Sequence, residues 1–165
     1  AIARLIATAL VPSPIVPNFV IVFYCIAIML IAPRFKEALG IGIVGGIISA
    51  LISHSLFPPA NLISEPLGAL VCLGVFLATK ERVKFAPALS TLLATFASGI
   101  TFVCIVMVLV MVAPGMLYKA FTASSLYAFF TMMVITIILP TAILNTIVAQ
   151  ILYLPAARVL SRGRA

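Results

Sequence analysis

The chain has no aspartate and no tryptophan, one histidine, and three carboxylates in all, Glu37, Glu65 and Glu81. These shortages close off most kinds of site chemistry. No Ser/His/Asp set, pair of neighbouring carboxylates, metal-ligand cluster or phosphate-cradling glycine loop can be assembled from what remains. An acid–base pairing of His54 with Ser53 or Glu65 is the only one left open, so a non-enzyme without a cofactor is expected. The repeated intramembrane carboxylates that proton relays use are missing as well. Charge is scarce overall, at 8% of residues, against about 25% in a soluble domain. The three cysteines, Cys25, Cys72 and Cys104, lie inside apolar runs without C-x-x-C spacing, and read as small hydrophobes.

What the chain does have is apolar surface. It is 65% hydrophobic with a mean hydropathy of +1.37, more than a water-soluble fold can hide, so lipid is its solvent. A membrane crossing takes about 20 apolar residues, so the 165 residues form one transmembrane domain of roughly six spans. The formal charge of +7 raises the question of nucleic acid. The basic residues, however, sit singly or in small groups between apolar runs, as the positive-inside rule explains. A start at Ala1 rather than methionine suggests residues ahead of it.

Residues 1–11 are apolar except for Arg4 and Thr8, and the proline-rich segment 12–17 follows. Together they are expected to make a short first span, since no hydrophilic mature domain follows as after a signal peptide. Span two is expected from Asn18 to Ala32, ending at the charged turn 33–37. Span three, Ala38 to Phe57, contains Gly42-x-x-x-Gly46-x-x-x-Ala50, a stripe along which another helix can approach closely. A polar loop, residues 53–66, comes next, with Pro66 placed to start span four unless that span begins inside the loop at Leu62. Span five, Pro87 to Ala113, carries a second small-residue stripe of Ser90, Ala94 and Ser98. Span six, Ser125 to Pro155, has Pro140 near its middle, where a kink is expected.

Assigning loops alternately, with the N-terminus inside, puts Arg4, Arg34, Lys36, Lys80, Arg82, Lys84, Arg158, Arg162 and Arg164 on the inner side and Lys119 alone on the outer. That bias makes both termini cytoplasmic and turns segment 12–17, loop 53–66 and loop 114–125 outward. The outer polar groups are then Asn18, His54, Asn61, Ser64, Glu65 and Lys119, with Tyr118, Phe121 and Tyr127 as aromatic neighbours. A zwitterion needs one carboxylate and one cation, and Glu65 with Lys119 could supply them. Each residue also has a plainer reading. Glu65 could serve a helix macrodipole, Lys119 and Tyr118 could anchor a loop at the headgroups, and His54 could be merely solvated. Phe129 and Phe130 read as packing or lipid-facing, while Asn145 and Gln150 read as interhelical hydrogen-bonding groups. Ala3 and Ala7 form an Ala-x-x-x-Ala pattern that ordinary bundle packing would explain.

Six short spans, few charges and Ala3-x-x-x-Ala7 together resemble the substrate-binding S components of energy-coupling factor transporters. Within that group, the stretch Pro17-Asn18-Phe19, Pro33-Arg34-Phe35-Lys36, the Gly42-to-Ala50 helix and Pro58-Pro59-Ala60-Asn61-Leu62-Ile63 is similar to the bacterial tryptophan-transporter family. The resemblance implies an all-α bundle in the cell membrane that takes up a small nutrient, tryptophan or a water-soluble vitamin. It implies Ala3 and Ala7 as contacts to a transmembrane coupling subunit driven by two cytoplasmic ATPases, and Asn18 and Asn61 on the substrate side. The chain has no nucleotide motif of its own. The alternatives are a solitary secondary transporter, dimerising through the glycine-rich third span, and a structural subunit of a membrane complex.

Overall fold

The computed structural model describes residues 18–52, 55–113 and 125–162. Helix α1 spans Val20–Ile31, α2 Phe35–Ile52, α3 Asn61–Thr79 and α4 Ala86–Val112. A 3-10 turn, Pro58–Ala60, leads straight into α3, and a rod made of α5 (Leu126–Met133), a π-helical turn (Val134–Ile138) and α6 (Leu139–Arg162) ends the chain. No strand occurs among the described residues. Four segments are long and apolar enough to cross a membrane, Phe35–Ile52, Pro58–Thr79, Ala86–Val112 and Leu126–Ser161, and α1 is a shorter apolar helix. The described residues thus form apolar helices over the stretches read as spans two to six, four of them long enough to cross, and the stretch read as the first, residues 1–17, lies outside them.

Helix α3 is the centre of the bundle. It packs most extensively on α4 and α2 and also touches α1, while α6 closes against α4 and α1. Glycine sets these distances. A Cβ at Gly42 would lie 2.6 Å from the Pro66 Cα and 2.8 Å from the Ala69 Cβ, and one at Gly46 would lie 2.6 Å from the Asn61 carbonyl oxygen. The backbones of α2 and α3 therefore meet along the Gly42–Gly46 stripe, the close approach that small residues allow inside lipid. The Gly42–Gly46 face of the glycine-rich third span is thus packed within the chain.

Two boundaries, at Pro66 and Pro155, differ from expectation, while the helical ladder changes next to Pro140, where a kink is expected. Pro66 does not start α3 but lies within it. The Pro58-Pro59 turn sets the helix going earlier, where missing N–H groups do no harm. Pro140 is the second residue of α6, and the π turn lies just before it. The Leu139 N–H reaches back five residues to the Val134 carbonyl, so the ladder widens where a proline cannot donate. The last helix also runs through Pro155 to Arg162 instead of stopping there, as membrane helices allow when neighbours re-satisfy the backbone.

Two separate apolar clusters form the core. One joins Tyr24, Cys25 and Ile28 of α1 to Cys72, Leu73 and Phe76 of α3, with the Phe76 and Tyr153 rings edge to face at 5.9 Å. The other joins Val103 and Val106 of α4 to Phe129, Met133 and Ile138 of the rod.

Candidate functional site

The side chain of Glu65 points into the bundle, not along its helix axis, and is 1% exposed. Its backbone lies one turn into α3. The proline turn ahead of α3 fixes the helical phase that aims the carboxylate between α1, α2 and α4. Four neutral groups donate to it. Asn18 Nδ2 and Ser49 Oγ (3.3 Å) reach Oε1, while Tyr24 OH (3.0 Å) and Ser98 Oγ (3.1 Å) reach Oε2. A carboxylate has about four lone-pair sites, and each oxygen has two donors here. Among the described residues no lysine or arginine bonds to it.

Each donor comes from a different place in the chain. Tyr24 lies on α1, Ser49 near the end of α2, and Ser98 in the middle of α4. Asn18 precedes α1 and is held from two sides: its Oδ1 accepts from the Val20 N–H (3.2 Å), and its carbonyl accepts from Asn145 Nδ2 of α6 (3.3 Å). The same amide of Asn145 donates to Thr95 Oγ1 at 3.3 Å. Side chains of α1, α2 and α4 therefore converge with Asn18 on the one carboxylate of α3, and α6 braces Asn18 from behind. Gly68 makes room for this convergence. A Cβ there would lie 2.6 Å from the Tyr24 hydroxyl and 3.1 Å from the Ser98 Cβ, the side chains that carry both donors to Oε2.

Beside the carboxylate, Tyr24 also borders an apolar groove of about 390 Å³ between α1 and α2, whose wall includes Phe23, Ile41, Val44 and Ile48. One side chain thus has its ring at an apolar surface and its hydroxyl on the Glu65 carboxyl group. Glu65 does not line the groove, and Tyr24 joins the two; a carboxyl on one side of that ring and an apolar wall on the other suit a ligand with an ammonium head and an aromatic body.

The residues singled out in the sequence divide. Asn18 and Glu65 are brought together. Asn61 is buried but closes its own loop, donating from Nδ2 to the Pro58 carbonyl at 2.9 Å and to Ser55 Oγ at 3.4 Å. Tyr127 is 80% exposed on α5 and is absent from the carboxylate's hydrogen bonds. His54, Lys119, Phe121, Ala3 and Ala7 lie outside the described residues. Asn145 and Gln150 do bond between helices, Gln150 Oε1 accepting from the Ala88 N–H at 3.2 Å. Sequence reasoning missed Tyr24, Ser49 and Ser98 as site residues. It took Ser98 only as a small packer and passed over Tyr24 within its apolar run. The available signal was depth: a lone carboxylate in lipid needs donors at its own level on the neighbouring helices.

The model of the family described as tryptophan transporter TrpP matches residues 2–161. The chain is also 33% identical over 151 residues to a Bacillus subtilis (strain 168) protein named "Probable tryptophan transport protein", an alignment covering 89% of this chain and 78% of that one. No solved structure matches. An all-helical membrane bundle, built around one buried carboxylate and matched along nearly its whole length, belongs to the tryptophan transporter TrpP family.

Proposed function

We propose that the chain is the substrate-binding protein for tryptophan uptake across the cell membrane, with Glu65 as the receptor for the substrate ammonium. The observation that carries this reading is the isolated, fully solvated-by-protein carboxylate inside the membrane part of the bundle, a costly placement that by default marks function. The ammonium would replace neutral donors on Oε1 or Oε2, and the indole would lie on the apolar wall that Tyr24 shares. In the orientation given by the charge bias, both termini are cytoplasmic and the loop ahead of α3 faces outward, so Asn18 and Glu65 sit toward the outer side. Lys119, with Phe121, His54 and Asn61 on the same side, is the candidate partner for the substrate carboxylate.

The energy for uptake comes, in this reading, from two cytoplasmic ATPases acting through a transmembrane coupling subunit that Ala3 and Ala7 contact. What supports it is the resemblance to S components and the absence of a nucleotide motif. Copurification of an ATPase and a coupling subunit tests the partners, and full uptake by the isolated protein in ATP-free liposomes overturns them.

The binding site is tested by tryptophan titration of the purified chain and of Glu65→Gln. The amide keeps the shape but loses the charge, and truncating one partner of a buried charge pair costs about 2–5 kcal/mol. Tryptophan affinity should therefore fall at least about thirtyfold, with the variant still folded. Equal affinity in wild type and variant would refute Glu65 as the receptor.

A further inference from the structure

We infer that Glu65 carries a proton while the site is empty and gives it up when the substrate ammonium arrives, so that each substrate bound releases one proton. This rests on the reading of Glu65 as the ammonium receptor. The first argument is environment. Among the described residues no cation reaches Glu65; an ionised carboxylate so buried carries a desolvation penalty of several kcal/mol, and a group so placed neutralises instead. The groups facing Glu65 are Asn18, Tyr24 of α1, Ser49 of α2 and Ser98 of α4. Of these only Tyr24 titrates, and it is neutral when it donates. Helix α6 contributes Asn145 behind Asn18, and the remaining titratable groups nearby, Cys25 and Cys72, are joined to each other by a thiol-to-carbonyl contact of 3.9 Å.

The second argument is geometry, because the hydrogen bonds close in both protonation states. Ser49 Oγ lies 3.3 Å from Glu65 Oε1 and 3.5 Å from Asn18 Oδ1, and its single proton can serve only one of them. With the carboxylate ionised, Ser49 donates to Oε1. With Oε1 protonated, that proton is donated to Ser49 Oγ, and Ser49 turns its own toward Asn18 Oδ1. Tyr24 and Ser98 donate to Oε2 in both cases, so neither state leaves Ser49 or Oε2 without a partner. Asn18 is half-buried while the others are buried, so the cluster opens toward its surroundings on the Asn18 side.

The step balances. A neutral carboxyl and an incoming R–NH3+ become a carboxylate–ammonium pair and a free proton, and the buried site never holds an uncompensated charge. The ammonium is thereby selected by exchange: indole compounds lacking it have nothing to trade for the proton.

The experiment is calorimetric titration of the full chain with tryptophan in buffers of different ionisation heat, repeated across pH. Release of about one proton per tryptophan is expected, with affinity rising about tenfold for each unit of increasing pH over the range where the empty site is protonated. Infrared difference spectra on adding tryptophan should lose a protonated-carboxyl C=O band, and that loss should be missing in Glu65→Gln. Tight binding with no proton released, a flat pH profile and no lost band would overturn the inference while leaving the receptor reading intact. The same result is expected if Lys119 sits on Glu65 in the empty site. No tryptophan binding by the folded chain, or undiminished binding by Glu65→Gln, would instead remove the receptor reading, and this inference with it.

Discussion

Around Glu65 the helices α1, α2, α3, α4 and α6 each contribute a polar group or a glycine, whereas around Phe129 α4 and the rod meet, with Phe57 against them, chiefly through apolar side chains. The difference matters because lipid is as apolar as leucine. Apolar contact between helices gains nothing from water release in a bilayer, so association depends on close backbone approach and interhelical hydrogen bonds. The Glu65 region has both. The Phe129 region has shape complementarity only, and α4 beyond it leaves Val108, Met111 and Val112 exposed. The first region should therefore specify the bundle and its chemistry, and the second should tolerate change.

The largest effect should come from breaking the tight region at its seam. Gly42→Leu puts a side chain where even a Cβ meets the Pro66 Cα at 2.6 Å, and backbone cannot step aside as a flexible side chain can. We expect a loss of at least about 3 kcal/mol, the upper end for overpacking, measured by unfolding in detergent. Gly40→Leu and Gly74→Leu are the controls, since nothing lies within 4 Å of either position. They should stay within about 0.5 kcal/mol of wild type. Equal losses at all three would mean that helix propensity, not the seam, governs stability.

A smaller loss should follow from opening the apolar region. Phe129→Ala removes the largest fully buried side chain. In a water-surrounded core such a change costs about 3–5 kcal/mol, but part of that figure is transfer from water, which lipid does not supply. We expect about 2 kcal/mol and unchanged tryptophan affinity. A drop in affinity as large as that of Glu65→Gln would erase the distinction between the two regions.

The fold was legible to the extent that hydropathy and small-residue stripes reach. Spans two to six, the Gly42–Gly46 approach and the Ser90–Ala94–Ser98 face all follow from side-chain size and water avoidance. The proline boundaries did not, because a proline ends a helix in water but can continue one in lipid, as Pro66 and Pro155 do. Of the site, Glu65 stood out as a rare charge, and Asn18 through its family likeness. Its donors did not stand out, because the matching that joins Tyr24, Ser49 and Ser98 is one of depth between helices far apart in sequence. Periodicity within one helix carries no record of it.

Within the polar region, Gly68→Ala separates positioning from packing. The added Cβ presses on the Tyr24 hydroxyl and the Ser98 Cβ, so both donors to Oε2 must shift while Oε1 keeps Asn18 and Ser49. A displaced hydrogen bond is worth about 1 kcal/mol, so tryptophan affinity should change by about a factor of five to ten. The same factor is expected from Tyr24→Phe, and the double variant should add little to either alone, since both act on one contact. Full additivity would mean that Gly68 affects the site by another route.

The smallest effect tests the residue on which the sequence and the structure disagree most. Tyr127 was expected to be an aromatic neighbour of the substrate, yet it is 80% exposed and sits in the first turn of α5. There the Ser125 hydroxyl already accepts from the Ala128 N–H at 3.1 Å and caps the helix without help from the ring. An amphipathic ring so placed suits the membrane–water interface. Tyr127→Ala should leave tryptophan affinity within error and stability within about 0.5 kcal/mol, while Phe at the same position should behave as wild type. A tenfold loss of affinity in Tyr127→Ala, recovered in Tyr127→Phe, would show that the ring reaches the substrate. The apolar region would then be part of the site, and its tolerance to change would end at that residue.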